Sequence, residues 1–451
     1  MNLNTFKHIY FIGIGGIGMS ALARYFNQMG IRVSGYDRNR SVLCQQLIAE
    51  GIAIHFEDSG ESLSHRDLPV DETLVVYTPA IPEDHGEYQF FVHHGYAVLK
   101  RSALLGELTK DLKALTVAGT HGKTTTSALL AHVLKRSELK ASAFLGGIST
   151  NYSTNMIHEP QSEYVVVEAD EFDRSFLYLH PFASIVTSTD ADHMDIYKNT
   201  DELKAAFQEF TDRLHPDGWL IRHIDVDVAS NVAARTYGRN SLADYCLYDL
   251  RTEDGYFTMD LRLPDTTWEN IRLGLPGIHN AENATAVVAL LHEMGVSEQV
   301  IRHGLSSFQG VKRRFEYHVR SKQHIYVDDY AHHPTAINQL VDSMRLLYPE
   351  KKITAIFQPH LYSRTRDFMQ DFQGALSRMD RLVLLPIYPA RETPIPGVTS
   401  AALAEGITTG VELLNSGSAI VGALNEDDEV VLSIGAGDID QWVEPIKHAL
   451  Q

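Results

Sequence analysis

The residues best suited to chemistry in this 451-residue chain form one run, Gly119-Thr120-His121-Gly122-Lys123-Thr124-Thr125-Thr126. Glycines let backbone N–H groups approach phosphate oxygens, and a helix opening at the end of the run adds positive potential. Lys123 has the reach for β- and γ-phosphates, and the Thr124 hydroxyl suits a magnesium ion. The match to the general phosphate loop is partial, because the position of its first glycine is Val117. The run sits between a strand-like apolar stretch and a helix-like amphipathic one, so nucleotide binding is the expectation. Two acidic clusters follow: VVVEADEFDRSF carries Glu168, Asp170, Glu171 and Asp173, and TSTDADHMDIY carries Asp190, Asp192, His193 and Asp195. Magnesium on a triphosphate needs oxygen ligands beyond one hydroxyl. Carboxylates at the carboxyl ends of adjacent parallel strands stand where α/β sheets bind ligands. Any one of these acids alone reads as a solvated rim; two clusters after a GKT loop read as a metal site.

A second glycine loop, Gly13-Ile14-Gly15-Gly16-Ile17-Gly18, also follows a strand pattern and precedes a helical one, and Asp37 ends the next strand about 20 residues on. Alone this is the fingerprint of a dinucleotide site, and it admits a nicotinamide-dependent oxidoreductase. The loop reads only a pyrophosphate and a ribose, which a UDP-sugar also carries, so it leaves both readings open.

The elements that must hold these loops alternate short Val/Ile-rich runs with stretches of helical period, the pattern of parallel α/β folding. Strands are expected at 8–14, 32–37, 74–79 and 97–101, then at 114–119, 164–170 and 182–188, then at 324–331, 352–359, 381–389 and 429–437. A helix is expected over 279–295, and period-two stretches between about 215 and 275 suggest an antiparallel appendage. The length calls for several cores, and the expected domains are 1–108, 109–313 and 314–451. With 39 Lys and Arg against 58 Asp and Glu, the formal charge of −19 argues against a nucleic-acid partner. No apolar run reaches membrane length, and no signal-peptide layout opens the chain. The protein is therefore expected in the cytoplasm, without membrane insertion. Cys44 and Cys246 are the only cysteines and read as packing residues. His93 and His94 read as surface residues, and Phe357 and Tyr388 as packing.

Nine segments in order, GIGGIGMSALA, GTHGKTTT, EADEFDRSF, ADHMDIY, PGIHNAENA, GVKRRFE, DDYAHHPTAI, FQPHLYSRT and YPARETPIPG, resemble the Mur ligases over essentially the whole chain. The resemblance implies a Rossmann-like N-terminal domain for a UDP-sugar, a central P-loop ATPase domain and a Rossmann-like C-terminal domain for an amino acid. It implies an ATP-dependent reaction in which the lactyl carboxylate of UDP-N-acetylmuramate becomes an acyl phosphate and L-alanine then attacks. ATP and Mg²⁺ are the implied co-substrate and metal, and the oligomeric state stays open between monomer and homodimer.

Carried over by position, the resemblance makes Lys123, Glu168, His193 and Arg314 catalytic, with Thr124, Glu168 and His193 on the metal. ATP would meet Gly119 to Thr125, His279, Asn280, Asn283, Arg314 and Asp329. The UDP-sugar would meet Gly15, Gly16, Ile17, Gly18, Met19, Asp37 and Thr78, and the amino acid His332, His360 and Arg364. Four positions depart from the family pattern. Leu361 replaces a frequent arginine, Ala336 a common acid, and Ser188 and Asp190 a frequent Asn and Glu. An oxidoreductase would have no use for the phosphate loop and C-terminal motifs. The nearer rival is a sister ligase that adds a tripeptide to the same UDP-sugar.

Overall fold

Apolar runs become fully buried strands when helices cover both faces of a parallel sheet, and His8–Ile12, buried at every position, is such a strand. The computed structural model describes residues 3–65, 68–190, 197, 199–253, 255–390 and 392–451. Two compact units divide the chain: residues 1–248, 261–268 and 282–305 form the first, and residues 249–260, 269–281 and 306–451 the second.

The first unit opens with a five-stranded parallel sheet in the order Ala53–His55, Arg32–Tyr36, His8–Ile12, Thr73–Tyr77, Ala97–Lys100. Strand order turns back between His8–Ile12 and Thr73–Tyr77, the place where such sheets leave a ligand crevice. The Gly13–Gly18 loop leaves one of these strands and Thr78 follows the other. Helix Ile17–Gln28 packs against strands Ser142–Ser149 and Thr154–Ile157 of the next sheet. Asn155 Nδ2 donates to Ile17 O (2.6 Å) and Ser20 Oγ (2.9 Å) there, and Tyr25 meets Phe144 edge-on.

The ten-stranded sheet has Lys113–Ala118 between Tyr164–Ala169 and Pro181–Val186, all parallel, so the three loops that follow share one edge. Val117 lies inside Lys113–Ala118 and is fully buried. The strand thus runs through the position where the general motif has its first glycine. The expectation of an antiparallel appendage over 215–275 is corrected at its start: Trp219–His223 pairs in parallel with Pro181–Val186 and with Ala233–Gly238, and the latter pairs in parallel with Tyr245–Cys246. Period-two alternation reports a sheet with one wet face, not the direction of its strands.

The second unit carries a six-stranded sheet in the order Glu316–Arg320, Ile325–Asp329, Val430–Ile434, Ile353–Phe357, Arg381–Leu384, Gly410–Leu413. Its first pair is antiparallel and the rest are parallel. The strand expected over 381–389 stops at Leu384, and the remainder is irregular chain carrying Tyr388. The expected helix forms as Ile278–Glu293. Cys44 and Cys246 are buried free thiols, and His93 and His94 are exposed. Among the described residues no helix is long and apolar enough to cross a membrane.

Candidate active site

The phosphate loop is shaped by what its backbone must avoid. Gly119 holds φ +131°, and a Cβ there would lie 2.1 Å from Thr187 Oγ1 and 2.8 Å from the Ser188 amide, so only glycine fits. The next strand's exit clamps the loop: Thr120 N donates to Ser188 O (3.2 Å), His121 N to Ser188 Oγ (3.0 Å), and the Thr120 and Ser188 hydroxyls meet at 2.9 Å. The clamp uses Ser188, one of the positions that depart from the family pattern. Helix Lys123–Leu134 then starts at Gly122 with no side-chain cap and no acidic residue in its first turn. That leaves a helix N-terminus open to an anion. Asn283 stands beside it, its Oδ1 2.7 Å from where a Gly122 Cβ would be.

Lys123 is already engaged. Its Nζ donates to Gly119 O (2.7 Å) and to both oxygens of Glu171 (2.9 and 2.8 Å), and Asp170 Oδ1 lies 3.9 Å away. Glu171 is fully buried. Burial works against the charge on Lys123, but Glu171, Asp170 and Glu168 outweigh it and raise its pKa. Burial raises the Glu171 carboxyl in turn, against the pull of Lys123. The fully buried Tyr197 donates its hydroxyl to Glu171 O (2.7 Å). The sequence motif flagged Glu171 only as one acid of a cluster; its role as the partner of Lys123 needed the coordinates.

Thr124 Oγ1 donates to Glu168 Oε1 at 3.0 Å, so the two expected metal ligands from different elements stand together. A hydroxyl and a carboxylate with Asp170 nearby are hard oxygen donors, the set magnesium takes. His193, with Asp192 and Asp195, lies outside the described residues. Asp190 is described and sits 3.8 Å from His121 Nε2.

At the first glycine loop, Gly13 N and Ile14 N donate to Tyr36 O (2.8 and 3.0 Å). Gly15 N donates to Asp37 Oδ2 (2.8 Å), and Asn39 N to Asp37 Oδ1 (2.9 Å). Asp37 thus anchors the loop through both carboxylate oxygens. A Cβ on Gly15 would lie 2.4 Å from Cys44 Sγ, and one on Gly13 2.7 Å from Thr78 Cγ2. Helix Ile17–Gln28 begins after Gly16 without a capping side chain, so the amides of Ile17, Gly18 and Met19 form a second anion-directed terminus.

In the second unit, Asp329 accepts from Phe315 N and Ala331 N, both at 2.7 Å. Burial raises its carboxyl, and Arg314 and these amides oppose the rise. Arg314 lies over the Tyr330 ring at 5.1 Å. His279 is held neutral, its pKa lowered to about 4 by burial and then by Arg314, while Asn280 Nδ2 is tied to Pro276 O at 2.7 Å. His332 Nδ1 donates to Tyr330 O (2.9 Å), and burial followed by Arg364 lowers its pKa to about 3. Burial and Arg364 also lower His360, whose Nδ1 receives Arg364 Nη1 at 3.2 Å. Tyr388, expected as mere packing, stacks on His360 with ring planes 12° apart. Tyr388 also takes Leu361 N on its carbonyl (3.0 Å), holding the turn in which Leu361 adopts φ +73°. Phe357 is packing, as expected, and fully buried.

Two anion-directed loops in one unit and a histidine–arginine cluster in the other are groups whose chemistry suits phosphates and a carboxylate, each held on an α/β sheet. The chain belongs to the Mur ligase family. The family's catalytic domain matches residues 8–113, its middle domain residues 117–291 and its glutamate ligase domain residues 313–437, so the fold is the three-domain Mur ligase architecture. A UDP-N-acetylmuramate–L-alanine ligase of Cytophaga hutchinsonii is 47% identical over 99% of this chain and 97% of its own length. One from Porphyromonas gingivalis is 47% identical over 99% of each chain. The crystal structure of a UDP-N-acetylmuramate–alanine ligase from Thermotoga maritima superposes with a TM-score of 0.84 at 26% identity, covering 98% of both chains.

Proposed function

We infer that the chain joins L-alanine to the lactyl carboxylate of UDP-N-acetylmuramate at the expense of ATP, a step of peptidoglycan precursor synthesis, in the cytoplasm. The full-length similarity to ligases of that name supports the substrate pair. The observation that carries the chemistry is the Thr124–Glu168 bond beside Lys123 at an open helix N-terminus. The domain limits that go with this reading are 1–108 for the UDP-sugar, 109–313 for ATP and 314–451 for the amino acid.

A carboxylate is a poor acyl donor, so its oxygen first attacks the γ-phosphorus; the bond from that phosphorus to the β-phosphate oxygen breaks, and ADP leaves. The alanine amine then attacks the acyl carbon, and the tetrahedral intermediate collapses with inorganic phosphate as leaving group. Positioning and charge neutralisation do most of such work. Lys123 and the amides after Gly122 receive the phosphates, and Thr124 and Glu168 would hold Mg²⁺, with His193 the further ligand that the family resemblance implies. The metal would supply charge neutralisation on the transferring phosphoryl group. His332 and His360, both kept neutral, and Arg364 suit the amino acid, the guanidinium fork matching a carboxylate.

Phosphate release from ATP with UDP-N-acetylmuramate, comparing L-Ala, Gly, L-Ser and the tripeptide, tests the substrate. Turnover with the tripeptide equal to that with L-Ala would move the assignment to the sister ligase. Lys123→Ala is expected to abolish acyl-phosphate formation while UDP-sugar binding survives. Positional isotope exchange in ATP persisting in that variant would remove Lys123 from its role.

A further inference from the structure

Helix Arg101–Lys110 starts with a cation at the end where the helix dipole favours an anion. Its neighbour Lys100 is paired with Asp173. Arg101 makes no hydrogen bond or ion pair among the described residues, although it is half-buried and carries five donors. Ser102, the next residue, is 4% exposed and its Oγ has no partner among the described residues. Buried polar groups are normally satisfied, and those that are not ask for an explanation.

Both residues line a small pocket whose other walls include Glu168, Asp170, Ser175 and Phe176. Glu168 is the residue bonded to Thr124. On its other side Arg101 reaches the first glycine loop, since a Cβ built on Gly18 would lie 2.9 Å from Arg101 Nη1. Arg101 therefore touches both the uncapped start of helix Ile17–Gln28 and the pocket that holds the carboxylate beside the phosphate loop, all within the first unit.

We propose that Arg101 and Ser102 form the subsite for the carboxylate of the nucleotide-sugar acid, selecting the acid over nucleotide-sugars that lack it. This rests on the substrate reading given above. The diphosphate of the same ligand offers similar charge, but the amides of Ile17, Gly18 and Met19 already suit it. Arg101 and Ser102 share their pocket with Glu168 and Asp170, beside the phosphate loop where the acid must meet a γ-phosphate. A guanidinium fork holds a carboxylate by two parallel bonds and fixes its plane, and the Ser102 hydroxyl adds a donor from the buried wall.

Calorimetric titration tests this with UDP-N-acetylmuramate, UDP-N-acetylglucosamine (the same nucleotide-sugar without the lactyl acid) and UDP. Parent, Arg101→Met, Arg101→Lys and Ser102→Ala proteins are compared. Loss of a charge-assisted bidentate contact predicts that Arg101→Met weakens the acid ligand by roughly 10- to 100-fold. UDP-N-acetylglucosamine and UDP should change less than about twofold. Arg101→Lys should fall between, as a point charge without the fork, and Ser102→Ala should weaken only the acid ligand. Because Arg101 has no partner among the described residues, the variant should melt with the parent. An equal loss for all three ligands would assign Arg101 to the diphosphate, and no loss would leave the cavity idle; either overturns the proposal. A parent that does not prefer the acid ligand would instead sink the substrate reading.

Discussion

Lys123 has three N–H donors, and in the empty protein all three are used: one by Gly119 O and two by the oxygens of Glu171. A phosphate oxygen can bond Lys123 only if one of these is released. The redundant member is one of the two bonds to Glu171, because a single carboxylate holds both. At 2.8 Å the gross attraction is about 6 kcal/mol for an effective dielectric of about 20, set against the desolvation of two buried ions. Removing one partner of such a pair typically costs about 3–5 kcal/mol. Glu171→Gln keeps one acceptor and leaves Asp170 at 3.9 Å, so the low end, about 3 kcal/mol in the empty protein, is expected.

That loss should reappear in part as nucleotide affinity. With one negative charge gone and one donor freed, ADP in the presence of EDTA should bind the variant about tenfold tighter, or about 1.4 kcal/mol. With saturating magnesium the gap should narrow, since the metal offsets the same carboxylate charge. The assay is calorimetric titration of ADP with and without the metal, alongside thermal melting of the empty proteins. ADP should restore more of the lost melting temperature in Glu171→Gln than it adds to the parent. An unchanged melting temperature with weaker metal-free ADP binding would mean that Glu171 helps nucleotide binding, and the competition argument would be refuted.

The glycine loop offers a two-step test. Gly15→Ala would put a Cβ 2.4 Å from Cys44 Sγ and 2.8 Å from Asp37 Oδ2. UDP-sugar binding should fall by more than about tenfold, and adding Cys44→Ala should recover part of it by removing the nearer clash; a double variant no better than the single one would relocate the damage. The histidines predict a pH dependence. His132 is fully buried and lowered to about 3 by burial, then by Arg136 and His303. Its folded pKa lies below the unfolded value near 6.5, so its contribution is complete above 6.5 and is lost as pH falls toward 3. His132→Gln should therefore lose less stability than the parent between pH 6.5 and 4, read from urea midpoints, whereas parallel profiles would show that His132 titrates normally.

The sheets were legible because a buried parallel strand leaves an apolar run that little else imitates. His8–Ile12, Lys113–Ala118 and Ile353–Phe357 all stand within two residues of where the sequence puts them. The phosphate loop was legible because its glycines answer to backbone geometry, and Gly119 has space for no side chain. Strand direction over 219–246 was not, since alternation is the same for parallel and antiparallel strands with one wet face. Tyr388 packs as expected, but its partner His360 was not legible, because the contact joins the exits of two neighbouring strands, Ile353–Phe357 and Arg381–Leu384.

The deeper failure of legibility concerns partners. A motif names the residue a ligand will meet and says nothing of what holds that residue before the ligand comes. Asp37 reads as a ribose acceptor, yet both its oxygens are taken by Gly15 N and Asn39 N. Lys123 reads as a free phosphate-binding cation, yet Glu171 holds it. Arg101 is the converse: no motif marks it, and its signal is a guanidinium without a partner among the described residues, in a pocket shared with Glu168. In a chain of net charge −19 with 58 carboxylates, an arginine left unpaired beside two of them is the less expected state. Leaving donors without a protein partner in a half-buried place is unfavourable for folding, and a substrate anion would complete the arrangement.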